Sequence, residues 1–160
     1  MTLEERVTAA YDELRMDLYR YVLTLGLPPQ AAQDIAHDCF VRFYEVLRHG
    51  TVVEHTRPWL LRVAHNMALN TISAKGFDTD ELSESTVATR TTTEDQLLER
   101  ERRSRLRAEI ARLSRQQRAC LELRAQGLRY REIAEIMDIS ISAVAEFVRR
   151  AIVKLREVLD

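Results

Sequence analysis

Thirty residues near the C-terminus, Tyr130 to Leu159, admit few folds. Apolar residues recur there at helical spacing, first as Ile133, Ala134, Ile136 and Met137, then as Val144, Phe147, Val148, Ala151, Ile152 and Leu155. That spacing predicts two amphipathic helices. The break between them is short and consists of Asp138, Ile139 and Ser140. Asp tolerates a left-handed backbone better than most residues, and Ser140 can cap the second helix. Two helices joined this way make either a helix-turn-helix, whose second helix enters the major groove of DNA, or a plain helical hairpin in a bundle. Two details favour the first. Ala134 is small where crossing helices approach closely, and Arg149 and Arg150 lie away from the apolar line Val144, Val148, Ala151 and Leu155. Ser142, Ala143, Ala145, Glu146, Arg149 and Arg150 are then the side chains expected to meet DNA.

The rest of the chain is compatible with an all-α protein. Gly and Pro are scarce, at 4 and 3 of 160 residues, and no run alternates β-branched and aromatic residues as a strand would. Apolar residues make up 46%, enough for a core in one domain or two small ones. No apolar run approaches the ~18 residues of a membrane span, and the charged start MTLEERV lacks a signal-peptide core, so a cytoplasmic protein is expected. Cys39 and Cys120 are far apart, each inside an apolar helical pattern, and read as reduced core residues.

The net charge of −1 hides an uneven distribution. From Glu101 onward there are fourteen Arg or Lys against nine Asp or Glu, whereas Gly76 to Arg100 carries seven acidic residues against two arginines. A basic C-terminal part, an acidic middle and a near-neutral N-terminal part suggest two domains with different partners, joined by a segment that nucleic acid repels.

Cap signals divide the chain further. Thr2-Leu3-Glu4-Glu5 matches a capping box, and Val7, Ala10, Tyr11, Leu14, Leu18, Tyr21, Val22 and Leu25 form a helical pattern stopped by Gly26. Pro28 and Pro29 fit the start of a second helix, with Ala32, Ile35, Ala36, Cys39, Phe40, Phe43, Tyr44 and Leu47 on its apolar face. A third helix runs from Thr56 through Trp59, Leu60, Val63, Ala64, Met67, Ala68 and Ile72 to Gly76. Residues 77 to 93 are rich in Thr, Ser, Asp and Glu and read as a flexible linker. Thr93 and Ser114 then open two further helices by the same capping device, with Gly127 ending the second. The expected architecture is two small helical domains, residues 1–76 and 94–160, joined by that linker.

The C-terminal stretch resembles the corresponding domain of bacterial sigma factors of the extracytoplasmic-function type, and more loosely the helix-turn-helix of response regulators. The first domain of that sigma family carries a helix of the type D-L-V-Q-E-T-F followed by W-L-x-R-I-A-x-N. This chain has Asp34-Ile35-Ala36-His37-Asp38-Cys39-Phe40, then Trp59-Leu60-Leu61-Arg62-Val63-Ala64-His65-Asn66, in the same order and at the same separation. The resemblance extends over nearly all of the chain outside the linker, which a response regulator would not do.

It implies that Asp34, His37 and Asp38 dock on core RNA polymerase, with His37 standing where the family usually has Gln. On charge alone this strip reads as a solvated helix face. The resemblance also implies that Trp59, Arg62, Asn66 and Asn70 read and melt the −10 promoter element, although Trp59 by itself reads as core. Ser73-Ala74-Lys75-Gly76 replaces a basic cluster common in the family at the end of this helix, which would weaken backbone contact. Arg118 and Tyr130 join Ser142, Ala143, Ala145, Glu146, Arg149 and Arg150 as the expected −35 DNA-binding set. Ala145, Glu146 and Phe147 depart from the basic pattern of many relatives, so an atypical −35 sequence is expected; Glu can accept from the cytosine amino group.

The sequence offers no Gly-rich phosphate loop, no nucleophile elbow and no paired His on one helical face. His37 and Cys39 are two apart and point to different faces, so they cannot share a metal. No enzyme activity and no cofactor are implied. The expected function is a sigma factor that binds core polymerase and promoter DNA. Its rivals are a stand-alone helix-turn-helix regulator and a helical adaptor without a DNA role. Whether an anti-sigma factor holds the two domains together is left open.

Overall fold

The computed structural model describes residues 1–75 and 93–159, so most of the expected linker lies outside the described residues. Those residues form seven helices and no strand: α1 (Leu3–Thr24), α2 (Pro29–Arg48), α3 (Thr56–Lys75), α4 (Glu94–Arg112), α5 (Arg115–Ala125), α6 (Tyr130–Met137) and α7 (Ile141–Leu159). None of them is long and apolar enough to cross a membrane.

The helix ends follow from local chemistry. Thr2, Thr93 and Ser114 each accept a hydrogen bond from the backbone N–H three residues on, and Glu5, Gln96 and Gln117 reciprocate, which satisfies donors that a helix start leaves open. Pro28 caps α2 and Pro29 occupies its first turn, where a missing N–H costs nothing. The N-terminal periodicity that allowed one helix or two end to end resolves into the single helix α1.

Helices α1, α2 and α3 pack pairwise on one another, and so do α5, α6 and α7, with α4 laid against α7. Leu14, Leu18, Tyr21 and Val22 of α1, Cys39, Phe40 and Phe43 of α2, and Leu60, Leu61 and Ala64 of α3 fill the first group. Cys120, Leu123, Ile133, Ile136, Val144, Val148 and Ala151 fill the second. Both cysteines are buried free thiols, with pKa pushed up to about 12 by burial. Only the C-terminal half of α4 is packed. Leu106 and Ile110 are half-buried and Leu113 is buried, whereas Leu97 and Leu98 remain exposed at 46% and 59%.

The two groups are not separate in this structure, because α1 packs on α5 and α3 on α6. The join combines a continuous apolar core with directional polar contacts. Helix α1 has no basic residue in its last turn, so its C-terminal carbonyls lack a cation of their own. Two arginines of α5 supply it: Arg118 Nε donates to the Thr24 carbonyl and Arg115 Nε to the Leu25 carbonyl, both at 3.0 Å. Gln126 Nε2 adds a third crossing bond, to the Asp17 carbonyl at 3.1 Å.

Candidate polymerase and promoter interfaces

The turn between α6 and α7 has the geometry its residues predict. Asp138 sits at φ 54°, ψ 50°, the left-handed conformation expected of it, and the Ile139 N–H returns to the Ala134 carbonyl at 3.1 Å. That six-residue closure is a Schellman pattern, and it ends α6 abruptly. Ser140 Oγ then accepts from the Ala143 N–H at 3.0 Å, so only three residues, 138–140, separate α6 from α7. Ala134, buried between the two helices, allows the close crossing.

On α7 the line Val144, Val148 and Ala151 is buried, and Ser142, Arg149 and Arg150 are exposed on the other side, with Ala143, Ala145 and Glu146 half-buried at its margins. Glu146 binds both arginines. Its Oε1 accepts from Arg149 Nη2 at 2.6 Å and from Arg150 Nε at 2.8 Å, while Oε2 accepts from Arg149 Nε at 3.1 Å. These hydrogen bonds, Arg149 first and Arg150 second, hold the carboxyl down to a pKa of about 2, so it is ionised at any physiological pH. Tyr130, at the start of α6, is half-buried under the Arg124 guanidinium, 5.4 Å from the ring centre.

Arg118 requires a correction. The resemblance places Arg118 in the −35 DNA-binding set, yet Arg118 is only 1% exposed. Its guanidinium is spent on two backbone carbonyls, Thr24 and, through Nη1 at 2.7 Å, Leu113. In this structure its guanidinium is turned inward and bridges α5 to α1.

The α3 residues fall on one side as their spacing predicts. Arg62, Asn66 and Asn70 are exposed, and Trp59 is half-buried against Phe43, with ring centres 5.6 Å apart at 46°. Trp59 thus packs against the core while part of it stays accessible. Trp59 and Arg62 line a groove whose opposite wall is α6 and its approach, including Arg129, Arg131, Glu132 and Glu135. Behind them on α3, His65 is buried and faces α1, with Tyr21 Oη 2.8 Å from its Nδ1. With the phenol donating, the imidazole is neutral, and burial lowers its pKa to about 4.

Asp34, His37 and Asp38 are all exposed on α2, while the neighbouring Ile35, Ala36 and Cys39 are buried. Gln30 Nε2 donates to Asp34 at 3.1 Å, one turn away. The strip has company that periodicity did not reveal. Tyr11 and Met16 of α1, exposed at 36% and 53%, line a groove together with Arg15, Tyr19, Asp34 and His37. Tyr11 belongs to the helical apolar pattern of α1 but lies at its margin, where its ring meets Phe40 edge-on at 5.1 Å and carries the Arg15 guanidinium at 5.4 Å. The one available signal was the polar surroundings Asp12, Glu13 and Arg15, which leave this part of α1 with a narrow apolar stripe.

The chain is similar to several known proteins. Residues 103–155, which span most of α4 and all of α5 and α6 and reach into the last turns of α7, match the model of sigma-70 region 4. Over 161 aligned positions the chain is 31% identical to the RNA polymerase sigma factor YlaC of Bacillus subtilis (strain 168), covering 98% of this chain and 91% of that protein. Two solved structures share the fold. The sigma factor RpoE of Bartonella quintana, in complex with the anti-sigma factor NepR, superposes with a TM-score of 0.68 at 20% identity, covering 95% of each chain. CnrH, in complex with the cytosolic domain of CnrY, gives 0.64 at 21% identity, over 98% of this chain and 89% of that one. A relation over nearly the whole length, and not over the helix-turn-helix alone, decides against both a stand-alone regulator and an adaptor. The chain belongs to the sigma-70 family of RNA polymerase sigma factors, non-enzymatic initiation factors, in its extracytoplasmic-function branch.

Proposed function

We propose that the sigma factor's work is divided between its two helix groups. Residues 1–76 form the domain that docks on core polymerase through Asp34, His37 and Asp38 and reads the −10 element through Trp59, Arg62, Asn66 and Asn70. Residues 94–160 form the domain that reads the −35 element through α7, with Ser142, Ala143, Ala145, Glu146, Arg149 and Arg150 toward the DNA and Tyr130 at its edge. Residues 77–93 are the linker between them, and the protein works in the cytoplasm.

The observation that carries this reading is the α3 surface. A half-exposed Trp59 in line with a guanidinium and two carboxamides offers one ring for stacking and several donors and acceptors for the Watson–Crick edge of an unpaired base. Carboxylates on α2 suit an arginine-rich surface on the polymerase. The groove between Trp59, Arg62 and α6 also supports a parting of the domains before DNA reaches α3, since α6 and its approach wall that face. An anti-sigma factor is a fitting regulator, by analogy with the complex of the Bartonella quintana protein.

Co-purification tests the docking half. Tagged full-length chain is expected to retain core polymerase from a lysate of its host, and the chain carrying Asp34→Arg with Asp38→Arg is expected to lose it. Equal retention by both removes Asp34 and Asp38 from the docking site.

A further inference from the structure

Glu146 stands where a recognition helix would be expected to be neutral or basic, and its contacts suggest why. Both of its oxygens are occupied, and together they take two donors from Arg149 and one from Arg150. The arginine side chains remain well exposed, Arg149 at 63% and Arg150 at 58%, and 42% of the Glu146 side chain is accessible although the residue as a whole is half-buried. Exposed ion pairs of this kind contribute little to stability, because water and salt screen them. What they do fix is where two guanidinium groups point and how much charge the face presents. A carboxylate engages arginine with the same fork geometry that a phosphate does. Glu146 therefore takes the Nε–Nη2 edge of Arg149 and the Nε of Arg150, which a DNA phosphate would otherwise meet, and its own charge repels that backbone.

We propose that Glu146 is an internal counter-charge that sets DNA selectivity. It holds Arg149 and Arg150 back from the phosphates of arbitrary sequence, and it releases them where a base-edge donor, such as a cytosine amino group, takes the carboxylate. The inference rests on the assignment of α7 to the −35 element. It also accounts for an acid beside the two exposed arginines of α7 in a basic domain. At a correct site the carboxylate exchanges arginine partners for an amino group, and the freed guanidinium groups bind base edges or phosphate. At a wrong site a phosphate has to displace a carboxylate that is ionised down to about pH 2.

Glu146→Gln keeps the shape of the side chain and removes its charge, and Glu146→Ala removes both. Binding of the full-length chain to random-sequence duplex, measured by fluorescence anisotropy across a salt series, reads the effect. Each freed arginine that finds a phosphate steepens the slope of log K against log salt by about 0.9, which is about eightfold in affinity at 0.1 M salt. Both variants are expected to bind random duplex about eightfold to sixtyfold more tightly than the parent. The holoenzyme with either variant is expected to lose discrimination at one or two −35 base pairs in a selection from randomised promoters. Unchanged random-duplex affinity and slope for both variants overturn the counter-charge. The double variant Arg149→Ala with Arg150→Ala separates this from a failure of the underlying assignment. If that variant leaves holoenzyme −35 selection unaltered, α7 does not read the −35 element and both fall; if it weakens selection while Glu146→Gln changes nothing, only the counter-charge falls.

Discussion

Arg118→Met tests how the two helix groups are held together. The substitution keeps most of the apolar stem and removes the guanidinium, whose Nε meets the Thr24 carbonyl at 3.0 Å and whose Nη1 meets the Leu113 carbonyl at 2.7 Å. A hydrogen bond from a charged donor contributes about 1.5–3 kcal/mol net. The Leu113 bond lies within the α4–α7 group, so its loss lowers the stability of that group by about this amount. The Thr24 bond crosses between groups and exists only while they are packed, so its loss shifts the packed-to-parted equilibrium by a similar amount, about tenfold to a hundredfold. Arg115→Ala removes the crossing bond to Leu25 and leaves the Leu113 bond in place. As Arg115 is only half-buried whereas Arg118 is buried, the expected shift is smaller, about 1 kcal/mol. Small-angle scattering reads compactness, and amide exchange at the C-terminal turn of α1 reads the loss of its caps. Arg118→Met is expected to enlarge the radius of gyration and speed that exchange, with Arg115→Ala intermediate. If Arg118→Met lowers the thermal midpoint while both readouts stay at parental values, capping of α1 by α5 is not what joins the groups.

Three further outcomes follow from the same geometry. Asp34→Arg with Asp38→Arg is expected to abolish binding to core polymerase with unchanged helical circular dichroism, because both residues are exposed and the contact turns repulsive; retained affinity in a pull-down refutes it. Asn66→Ala is expected to cost about 1–3 kcal/mol of promoter opening with core binding intact, and transcription within twofold of the parent would exclude Asn66 from base recognition. His65 binds its proton near pH 4 when folded and near 6.5 when unfolded, so the unfolded chain holds more protons between those values and stability falls as pH drops through them. The loss amounts to about 3 kcal/mol by pH 4; His65→Gln, measured by thermal melts at pH 7 and pH 5, is expected to flatten that dependence, and an equal slope in parent and variant assigns the acid sensitivity elsewhere.

Periodicity and capping residues report which face of a helix is apolar and where it stops, and for this chain they located the helix ends closely. Thr2, Thr93, Ser114, Ser140 and Asp138 all perform the local roles their side chains suggest, because a cap depends only on residues a few positions away. The line Arg62, Asn66 and Asn70 was legible for the same reason: helical spacing alone puts the three on one side. Contacts across the chain were not legible. Arg118 finds its partner 94 residues earlier and Gln126 finds Asp17 at a separation of 109, and no local pattern distinguishes such an arginine from one that awaits DNA. Tyr11 belongs to an apolar series but lies at its margin, so whether it is covered depends on how α2 crosses α1. Leu97 and Leu98 show the converse, since a helix start can carry leucines that no described element covers. The pairing of Glu146 with both arginines was legible as a possibility from spacing, and only the side-chain geometry shows that one carboxylate serves both.

Transcription reconstituted from core polymerase and the full-length chain, on a library of linear duplexes with random upstream sequence, tests the central claim most directly. If the chain is a two-element promoter reader, start sites obtained with the chain share two short sequence blocks at fixed separation, and those blocks are absent with core alone. Asn66→Ala then blurs the downstream block and Arg149→Ala with Arg150→Ala the upstream one. Start sites with and without the chain that are indistinguishable in sequence and number would contradict the account.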